Sequence, residues 1–299
     1  MTTASQPGVR SWSVWLLAAR PATLTAAVVP VLVGTAAASH DGSGKALPFL
    51  AALAAAVLIQ IGTNLANDVF DFERGADSED RLGPPRAAQS GLATPRQMRI
   101  AMAAVFAAAA LIGLYLVFVG GWPILIIGIL SILAGVAYTG GPWPLGYHGL
   151  GDLFVFVFFG LVAAIGSYYL QTGEVTWLAA ATALPAGMTV TAILVVNNLR
   201  DIESDRRVGK RTLAVRIGPM PTRAQYVVLV VGAFGLLPAV QLAGASWWVA
   251  LPWLALPFAL YLATAVWRGA EGRALNPLLQ RTAQFHLAFG SLLALGLVL

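Results

Sequence analysis

Acidic residues are concentrated in two short segments of this 299-residue chain. Of its thirteen Asp and Glu residues, six fall between Asp68 and Asp80 and three between Asp201 and Asp205. Both segments follow long apolar runs, where a carboxylate is costly unless it is paired, hydrated or bound to a cation. We therefore take these two segments as the first candidates for a functional site.

Helical spacing brings the oxygen-bearing side chains of the first segment together. At about 100° per residue, Asn64, Asp68 and Asp71 lie within about 60° of one another around a helix. Asn67 is also one turn before Asp71. These four residues, which we call the first stripe, predict a polar face at the end of an apolar helix.

The second segment has a simpler spacing. Asn197, Asp201 and Asp205 are four residues apart, so they form one line along a helix, the second stripe. The two segments are four predicted helices apart, and we expect both stripes to face one cavity. Oxygen ligands without His or Cys suit magnesium, which keeps several waters and binds through a few carboxylates and substrate phosphates.

Basic side chains follow both stripes. Arg74 comes after the first stripe, and Lys210 and Arg211 come after the second. Since guanidinium and ammonium groups pair with phosphate oxygens, the sequence predicts a magnesium-bound diphosphate between the stripes. The alternative is two solvated helix ends with flanking basic residues, but ordinary caps do not need an Asn/Asp stripe in two places.

The elements that must position these stripes are membrane-spanning helices. The chain is 58% hydrophobic and 10% charged, a balance that a water-soluble domain of this size could not cover with polar surface. Its apolar runs of about 18 to 25 residues have the length that crosses a bilayer as a helix. We expect an all-α integral membrane protein, a single domain over residues 1–299, with about nine transmembrane helices around a central cavity. The helices are predicted near Trp12–Ser39, Ala46–Phe72, Gln97–Val119, Trp122–Tyr138, Leu150–Gln171, Val175–Arg200, Arg223–Leu242, Ser246–Trp267 and Arg281–Leu299.

The positions of the basic residues predict the orientation. With nine spanning helices, seventeen of the eighteen Lys and Arg residues lie on one side and only Lys45 on the other. Such a bias marks the cytoplasmic face, so we expect the N-terminus, both stripes and the mouth of the cavity on the cytoplasmic side of the cell membrane. The net charge of +5 then reflects topology and not nucleic-acid binding. The absence of cysteine excludes disulfides, thiolate metal sites and a Cys nucleophile.

The two stripes resemble the motifs of the UbiA superfamily of membrane aromatic prenyltransferases. The resemblance rests on Asn67-Asp68-x-x-Asp71 together with Asn197-x-x-x-Asp201-x-x-x-Asp205, and it covers essentially the whole chain. It implies a UbiA-like fold in contact with membrane lipid. It also implies that both motifs bind Mg2+ and an isoprenyl diphosphate.

One departure from the broad superfamily pattern is informative. An Asp usually stands four residues after the third motif position, whereas this chain has Gly75 there and Asp77 two residues later. That arrangement, with the segments Tyr138–Leu145 and Gly149–Asp152, resembles the 1,4-dihydroxy-2-naphthoate polyprenyltransferases of menaquinone synthesis. The resemblance implies transfer of a polyprenyl group from a polyprenyl diphosphate to 1,4-dihydroxy-2-naphthoate, with loss of carbon dioxide and diphosphate, to give demethylmenaquinol.

The residues that this reaction implicates fall into three overlapping groups. The candidate metal ligands are Asp68, Asp71, Asp77, Asp201 and Asp205. The candidate catalytic residues are Asp68, Asp71, Asp201, Asp205, Lys210 and Asp152. The candidate substrate-binding residues are Asn64, Asn67, Arg74, Arg81, Arg86, Gln89, Arg20, Tyr138, Tyr168, Asn197 and Arg211.

Charge development in the reaction suggests roles for four of them. Magnesium with Lys210 and Arg211 would stabilise the departing diphosphate. Arg20 either pairs the carboxylate of the acceptor or only fixes the topology. Asp152 either caps the helix that it begins or acts on a hydroxyl of the acceptor.

Rings and a basic loop are the remaining candidates. Tyr138 and Tyr168 either stabilise an allylic cation through the negative faces of their rings or pack between helices. Arg81, Arg86 and Gln89 are predicted to lie in a loop that closes over the site and excludes water from a reactive cation.

Two other functions fit parts of the pattern. The same fold could prenylate another acceptor, such as 4-hydroxybenzoate, homogentisate, haem or a chlorophyll precursor, but Gly75 with Asp77 and the Tyr138–Leu145 segment argue against these. A secondary transporter would use intramembrane acids to carry protons or sodium. Transporter sites normally lie near the bilayer midplane, whereas these acids are at one interface.

Overall fold

Helices dominate the part of the chain that the structure describes. The structure is a computed structural model that describes residues 11–76 and 81–299, and within these ranges it contains no β-strand. The helices are α1 (Ser11–Ala19), α2 (Thr25–His40), α3 (Ala46–Glu73), α4 (Pro95–Gly120), α5 (Trp122–Ala137), α6 (Gly151–Thr172), α7 (Trp177–Arg200), α8 (Ile202–Arg207), α9 (Leu213–Ile217), α10 (Pro219–Leu242), α11 (Trp247–Trp267) and α12 (Leu275–Val298).

Six helices in the described ranges are long and apolar enough to cross a membrane, namely α3, α4, α6, α7, α10 and α11. The α1 and α2 region would add a seventh span if the two were counted together across their bend of 51°. The protein is therefore an all-helical, multi-pass membrane protein, as the sequence predicts. The prediction of about nine spanning helices is not confirmed, although eight of the nine predicted segments each coincide with one helix and the first coincides with two.

Three of the predicted segments account for the difference in number. α5 has 16 residues, so it is about 24 Å long, which is shorter than the roughly 30 Å of a hydrocarbon core. α12 packs among α2, α7 and α11 and carries polar side chains such as Arg281 and His286, so it is less apolar than a lipid-facing span. The first predicted helix is broken between α1 and α2.

The break between α1 and α2 falls at Arg20. The φ angle of Arg20 is 51°, and no other non-glycine residue in the described ranges has a positive φ. Pro21 follows, and the proline ring disfavours helical backbone in the residue before it. The break leaves the side chain of Arg20 on the wall of the cavity described below.

α7 is the central helix, and its C-terminal end brings the second stripe to the cavity: Asn197 is on α7, Asp201 follows its last residue, and Asp205 is on α8. It packs against α2, α6, α10 and α12, and most of its residues are buried. Where α6 crosses it, a Cβ atom on Gly160 would lie 2.5 Å from the Cα of Gly187, so only glycine permits this approach. The same stretch of α6, Phe156–Val162, is a π-helix, a rare form that is frequent at functional sites.

Candidate active site

The ends of α3 and α7 border one open cavity of about 1270 Å³. Residues of both stripes line this cavity. They are Asn64, Asn67 and Asp71 from the first stripe and Asn197, Asp201 and Asp205 from the second. The structure thus brings the two segments that the sequence singles out to a common site.

Asp71 is the central carboxylate of the first stripe. It is 2% exposed, and its two oxygens have different donors. Oδ2 accepts a hydrogen bond and ion pair from Arg86 Nη1 at 2.7 Å, and Oδ1 accepts a hydrogen bond from the Tyr147 hydroxyl at 2.8 Å. Both donors come from loops outside α3, so the loops fix the orientation of this carboxylate.

The two asparagines of the first stripe tie α3 to its neighbours. Asn64 Nδ2 donates to the Ala19 carbonyl and to Thr23 Oγ1, each at 2.9 Å, and so spans the break between α1 and α2. Asn67 Oδ1 accepts from the Thr139 hydroxyl at 2.9 Å. These bonds hold the wall of the cavity in place.

Asp68 has a different task from the one predicted. Its two oxygens accept the backbone N–H groups of Ala87 at 3.0 Å and Ala88 at 3.2 Å. Asp68 is 1% exposed and does not belong to the described lining of the cavity. Its carboxylate is committed to anchoring the loop that carries Arg86, which corrects the prediction that it is a metal ligand and catalytic group.

Asp201 is held by a neighbour in its own chain segment. Arg200 donates from Nε and Nη2 to the two Asp201 oxygens at 2.7 and 2.6 Å. Arg200 also donates to Asn197 Oδ1 at 2.8 Å and to Asn276 Oδ1 at 2.9 Å. The sequence analysis missed Arg200, although an arginine directly before a motif aspartate at the end of an apolar helix was a signal that it had a partner.

Asp205 is the least satisfied carboxylate of the two stripes. Its Oδ1 lies 3.7 Å from Lys210 Nζ, whereas its buried Oδ2 has no hydrogen-bond partner among the described residues. Burial raises the pKa of Asp205 to about 6; Lys210 opposes this rise, while the Asp201 and Asp71 carboxylates add to it. A cation in the cavity would satisfy the free oxygen and favour the charged form.

Tyr147 is a second residue that the sequence analysis missed. Besides its bond to Asp71, its ring has Lys210 Nζ and Arg74 Cζ each 5.5 Å from its centroid. Burial and the Asp71 charge raise the pKa of Tyr147, so the hydroxyl remains a donor at neutral pH. Its place just before the Gly149–Asp152 segment was the available signal.

Five further candidates for substrate binding or catalysis also line the cavity, namely Arg20, Arg81, Arg86, Tyr138 and Lys210. The Nη2 atom of Arg20 is buried and has no hydrogen-bond partner among the described residues. Arg81 donates to the Pro84 carbonyl at 3.2 Å within the loop that Asp68 anchors. Positive charge therefore reaches the cavity from several separate segments.

Asp152 acts neither as a helix cap nor as a lining residue. No side chain caps the start of α6, and Asp152 is outside the described lining of the cavity. Its oxygens accept from Asn198 Nδ2 at 3.3 Å and Gln225 Nε2 at 2.8 Å. Because Asn198 does line the cavity, Asp152 can influence the site only through its neighbours.

Four other predicted substrate-binding residues are not brought to the cavity lining in the described ranges. Arg74 donates to the carbonyls of Thr139 and Gly141, the Arg211 side chain is exposed, and Gln89 is half-buried in its loop. Tyr168 donates to Asp41, in the loop after α2; it is 16 residues along α6 from Asp152, about 24 Å away. Asp77, a predicted metal ligand, lies outside the described residues.

Two apolar cavities lie beside the polar one, among the membrane-spanning helices. The first of them, about 630 Å³, shares Thr63, Tyr138, Val155 and Phe159 with the polar cavity. The second, about 1020 Å³, shares Ala56, Ile59, Ser131, Phe158 and Ala163 with the first. Residues of α3, α5 and α6 border both of these cavities, and residues of α4 border the second.

The donor chemistry of the polar cavity fits a hard divalent cation. The described residues contain no group of three or more His, Cys, Asp or Glu side chains arranged to hold a metal by themselves. The cavity does present Asp71, Asp201 and Asp205, one of which has an unpartnered oxygen. Magnesium commonly uses one or two carboxylates and takes its remaining ligands from water and phosphate, so this set suffices only with a phosphate ligand.

Comparison with known proteins identifies relatives over nearly the whole chain. Residues 27–289 match the model of the UbiA prenyltransferase family. The 1,4-dihydroxy-2-naphthoate octaprenyltransferase of Mycobacterium tuberculosis is 42% identical over 290 residues, which cover 96% of this chain and 98% of the relative. The enzyme of the same name from Escherichia coli is 40% identical over 295 residues, covering 95% of each chain.

A solved structure has a similar fold at much lower identity. The structure of a UbiA homologue from Archaeoglobus fulgidus bound to DMAPP and Mg2+ is similar with a TM-score of 0.61 and 15% identity. The likeness covers 93% of this chain and 98% of that chain. At this identity, the comparison bears on the fold alone.

Proposed function

Because the chain belongs to the UbiA prenyltransferase family, we propose that it transfers a polyprenyl group from a polyprenyl diphosphate to 1,4-dihydroxy-2-naphthoate. Carbon dioxide and diphosphate are released, and the product is demethylmenaquinol for menaquinone synthesis. The observation that carries the proposal is that residues of both stripes and Lys210 line one cavity, which shares four wall residues with a neighbouring apolar cavity. The names and high coverage of the relatives support the choice of acceptor.

The polar cavity is suited to the diphosphate of the donor. Asp71, Asp201 and Asp205 would hold Mg2+, which neutralises the charge of the diphosphate when bound. Lys210, with Arg81 and Arg86 from the loop, supplies further positive charge toward the phosphate oxygens. These groups stabilise the diphosphate as it departs with the electron pair of the allylic C–O bond.

The apolar cavities are suited to the polyprenyl chain of the donor. Their walls are formed by aliphatic and aromatic side chains of α3, α5 and α6. An isoprenoid chain that enters these apolar cavities loses contact with water, which favours its binding there. The reactive end of the chain would then lie near Tyr138 and Phe159, where the apolar and polar cavities meet.

Dihydroxynaphthoate requires a positive charge beside its carboxylate and a hydrogen-bond acceptor for its hydroxyl. The buried, unpartnered Nη2 of Arg20 is available to the carboxylate, and Asn198 presents its amide to the same cavity. The ring carbon that bears the carboxylate bonds to the prenyl carbon. The carboxylate then leaves as carbon dioxide, and the electrons of its C–C bond restore the aromatic ring.

The same proposal extends to the setting of the enzyme. We place the mouth of the polar cavity at the cytoplasmic face of the cell membrane, because nearly all Lys and Arg residues lie at that end of the predicted helices. Residues 1–299 act as one domain in this proposal. The predicted role of Asp77 is part of it, and so are the predicted roles of the stripe residues other than Asp68.

The test is a reaction with defined components. Protein purified in detergent is incubated with a polyprenyl diphosphate, magnesium and a panel of aromatic acids, and the product mass is measured. We expect the mass of demethylmenaquinol from 1,4-dihydroxy-2-naphthoate, and no product when EDTA replaces magnesium. Product from 4-hydroxybenzoate or homogentisate alone would assign another acceptor, and no product from any acid would overturn prenyl transfer.

A further inference from the structure

Tyr147 connects the two stripes through contacts that no single helix could make. It lies in a short 3-10 helix, Leu145–His148, between α5 and α6. We propose that Tyr147 is a positioning residue for the diphosphate site, which sets the orientation of Asp71 and the position of Lys210. The inference rests on the proposed function, because it assigns Tyr147 a task within the site that would hold the magnesium diphosphate.

The hydroxyl of Tyr147 determines how Asp71 faces the cavity. Arg86 holds Oδ2 of Asp71 at 2.7 Å, and Tyr147 holds Oδ1 at 2.8 Å. With one donor on each oxygen, rotation of the carboxylate is restricted. Because an ionised carboxylate has about four lone-pair sites, each oxygen keeps capacity for a cation in a fixed direction.

The ring of Tyr147 determines where Lys210 lies. The Lys210 ammonium is 5.5 Å from the ring centroid, within the range of a cation–π contact. Its ion pair with Asp205 is long, at 3.7 Å, so the ring supplies a second point of attachment. The backbone adds a third, because the N–H of Arg211 donates to the Tyr147 carbonyl at 3.0 Å.

The short helix that carries Tyr147 is itself held against the cavity wall. Gly146 donates its N–H to the Tyr138 carbonyl at 2.9 Å. A Cβ atom on Gly146 would lie 3.0 Å from that carbonyl and from the Tyr138 ring, so a larger residue would push the segment away. Tyr147 is thus placed by a wall residue of the cavity and in turn places one group from each stripe region.

The experiment measures the diphosphate site without turnover. Isothermal titration calorimetry with inorganic diphosphate at saturating magnesium compares the purified wild type with Tyr147→Phe and Tyr147→Leu. We expect Tyr147→Phe to bind diphosphate about 10-fold more weakly, as for the loss of one hydrogen bond to a charged group. Tyr147→Leu also removes the ring and should weaken binding by about a further 3-fold.

Tyr226→Phe is the matched control. The Tyr226 hydroxyl bonds Thr282 at 2.7 Å in the buried core, outside the described lining of the cavity. The Tyr226→Phe variant should bind diphosphate with wild-type affinity. Thermal unfolding without ligand then compares the stability of the two Phe variants.

Kinetics separate positioning from a general structural loss. In Tyr147→Phe, the KM for the prenyl diphosphate should rise while the KM for dihydroxynaphthoate stays at its wild-type value. Wild-type diphosphate affinity in Tyr147→Phe, or an equal loss in Tyr226→Phe, would overturn the inference. Absence of diphosphate binding by the wild type would instead overturn the proposed function, so the two failures are distinguishable.

Discussion

The two stripes have the same residue types and meet at the same cavity, but the protein holds them in different ways. In the first stripe, loops from elsewhere in the chain supply the donors. Asp68 accepts two backbone N–H groups of the loop that precedes α4, and Asp71 accepts from Arg86 and Tyr147. The first stripe therefore depends on segments that are distant from it in the sequence.

In the second stripe, the donors are local. Arg200 binds both oxygens of the adjacent Asp201. Asp205 has only the 3.7 Å contact with Lys210, five residues later, and keeps a buried oxygen without a hydrogen-bond partner among the described residues. The second stripe is thus prepared by its own segment and retains the more available carboxylate.

The difference shows that a repeated sequence pattern does not assign equal tasks. Each protein donor uses part of the hydrogen-bonding capacity of a carboxylate, so the donors indicate which oxygens remain for a cation. By this criterion Asp205 is the most available, because Asp68, Asp71 and Asp201 each have one donor on each oxygen. Asp68 differs from the other two because its donors belong to the loop and it lies outside the described lining of the cavity. Substitutions at these positions test that order.

The largest effect is expected from removing the most available carboxylate. Asp205→Ala should lower kcat/KM by about 1000-fold, because diphosphate departure then lacks a group that would hold magnesium. Asp71→Ala and Asp201→Ala should approach this loss while leaving membrane insertion intact. The measurement is the rate of product formation at several magnesium concentrations, with the product identified by its mass.

The exposed Glu174, in the loop between α6 and α7, provides a control for acidic substitution. Glu174→Ala should retain the wild-type rate. A variant of Asp71, Asp201 or Asp205 with a near-normal magnesium-dependent rate would exclude that residue as an essential ligand.

A smaller effect is expected at Lys210, which carries charge toward the diphosphate but would not hold the metal. Lys210→Ala should raise the KM for the prenyl diphosphate by about 10- to 30-fold, the loss expected for one charge-assisted contact. The KM for dihydroxynaphthoate should change little. Arg211→Ala, whose side chain is exposed, is the control, and a larger effect on the acceptor KM would refute the assignment of Lys210.

Asp68→Asn should have a still smaller effect, of a different kind from a substitution at Asp71. An amide keeps one acceptor oxygen, so one of the two loop N–H groups loses its partner, and kcat should fall by about 5-fold. The magnesium concentration for half-maximal rate should stay as in the wild type. A rise of that concentration as large as in Asp71→Ala would contradict the division of tasks within the first stripe.

The sequence predicted the helical membrane fold and the convergence of the stripes because both follow from short-range patterns. Apolar runs specify helices, and the i, i+4 spacing of Asn197, Asp201 and Asp205 predicts one helical face. The structure interrupts that helix at Asp201, between α7 and α8, but all three residues still line the cavity. Pro21 indicates a helix break at Arg20, but the long apolar run around it predicted one continuous helix. The number of candidate spans rests on helix length and apolar composition, by which α5 is too short and α12 is not counted.

The partners of each carboxylate could not be predicted from spacing. Tyr147 is 76 residues from Asp71 in the chain, so their contact is a product of the tertiary fold. Asp68 and Asp71 are less than one helical turn apart, yet Asp71 lines the cavity whereas Asp68 bonds the loop at Ala87 and Ala88. The spacing alone does not predict that difference. Tyr168 shows the opposite error, since a residue near the far end of α6 cannot reach a site at its beginning.

The smallest predicted effect concerns Asp152, which influences the cavity only through Asn198, the residue after Asn197 of the second stripe. A carboxylate can only accept, so it holds the Nδ2 group of Asn198 and leaves the amide oxygen available to a hydroxyl of the acceptor. Asp152→Asn can accept or donate, so the Asn198 amide loses its fixed direction, and the KM for dihydroxynaphthoate should rise about 3- to 5-fold. The KM for the prenyl diphosphate should not change, and Gln225→Leu, which leaves the bond between Asp152 and Asn198, should have a smaller effect. If the KM for the prenyl diphosphate rises and the KM for dihydroxynaphthoate does not, Asp152 belongs with the groups that bind the diphosphate. Asn197 and Asn198, which are adjacent on α7, would then not differ in which substrate they serve.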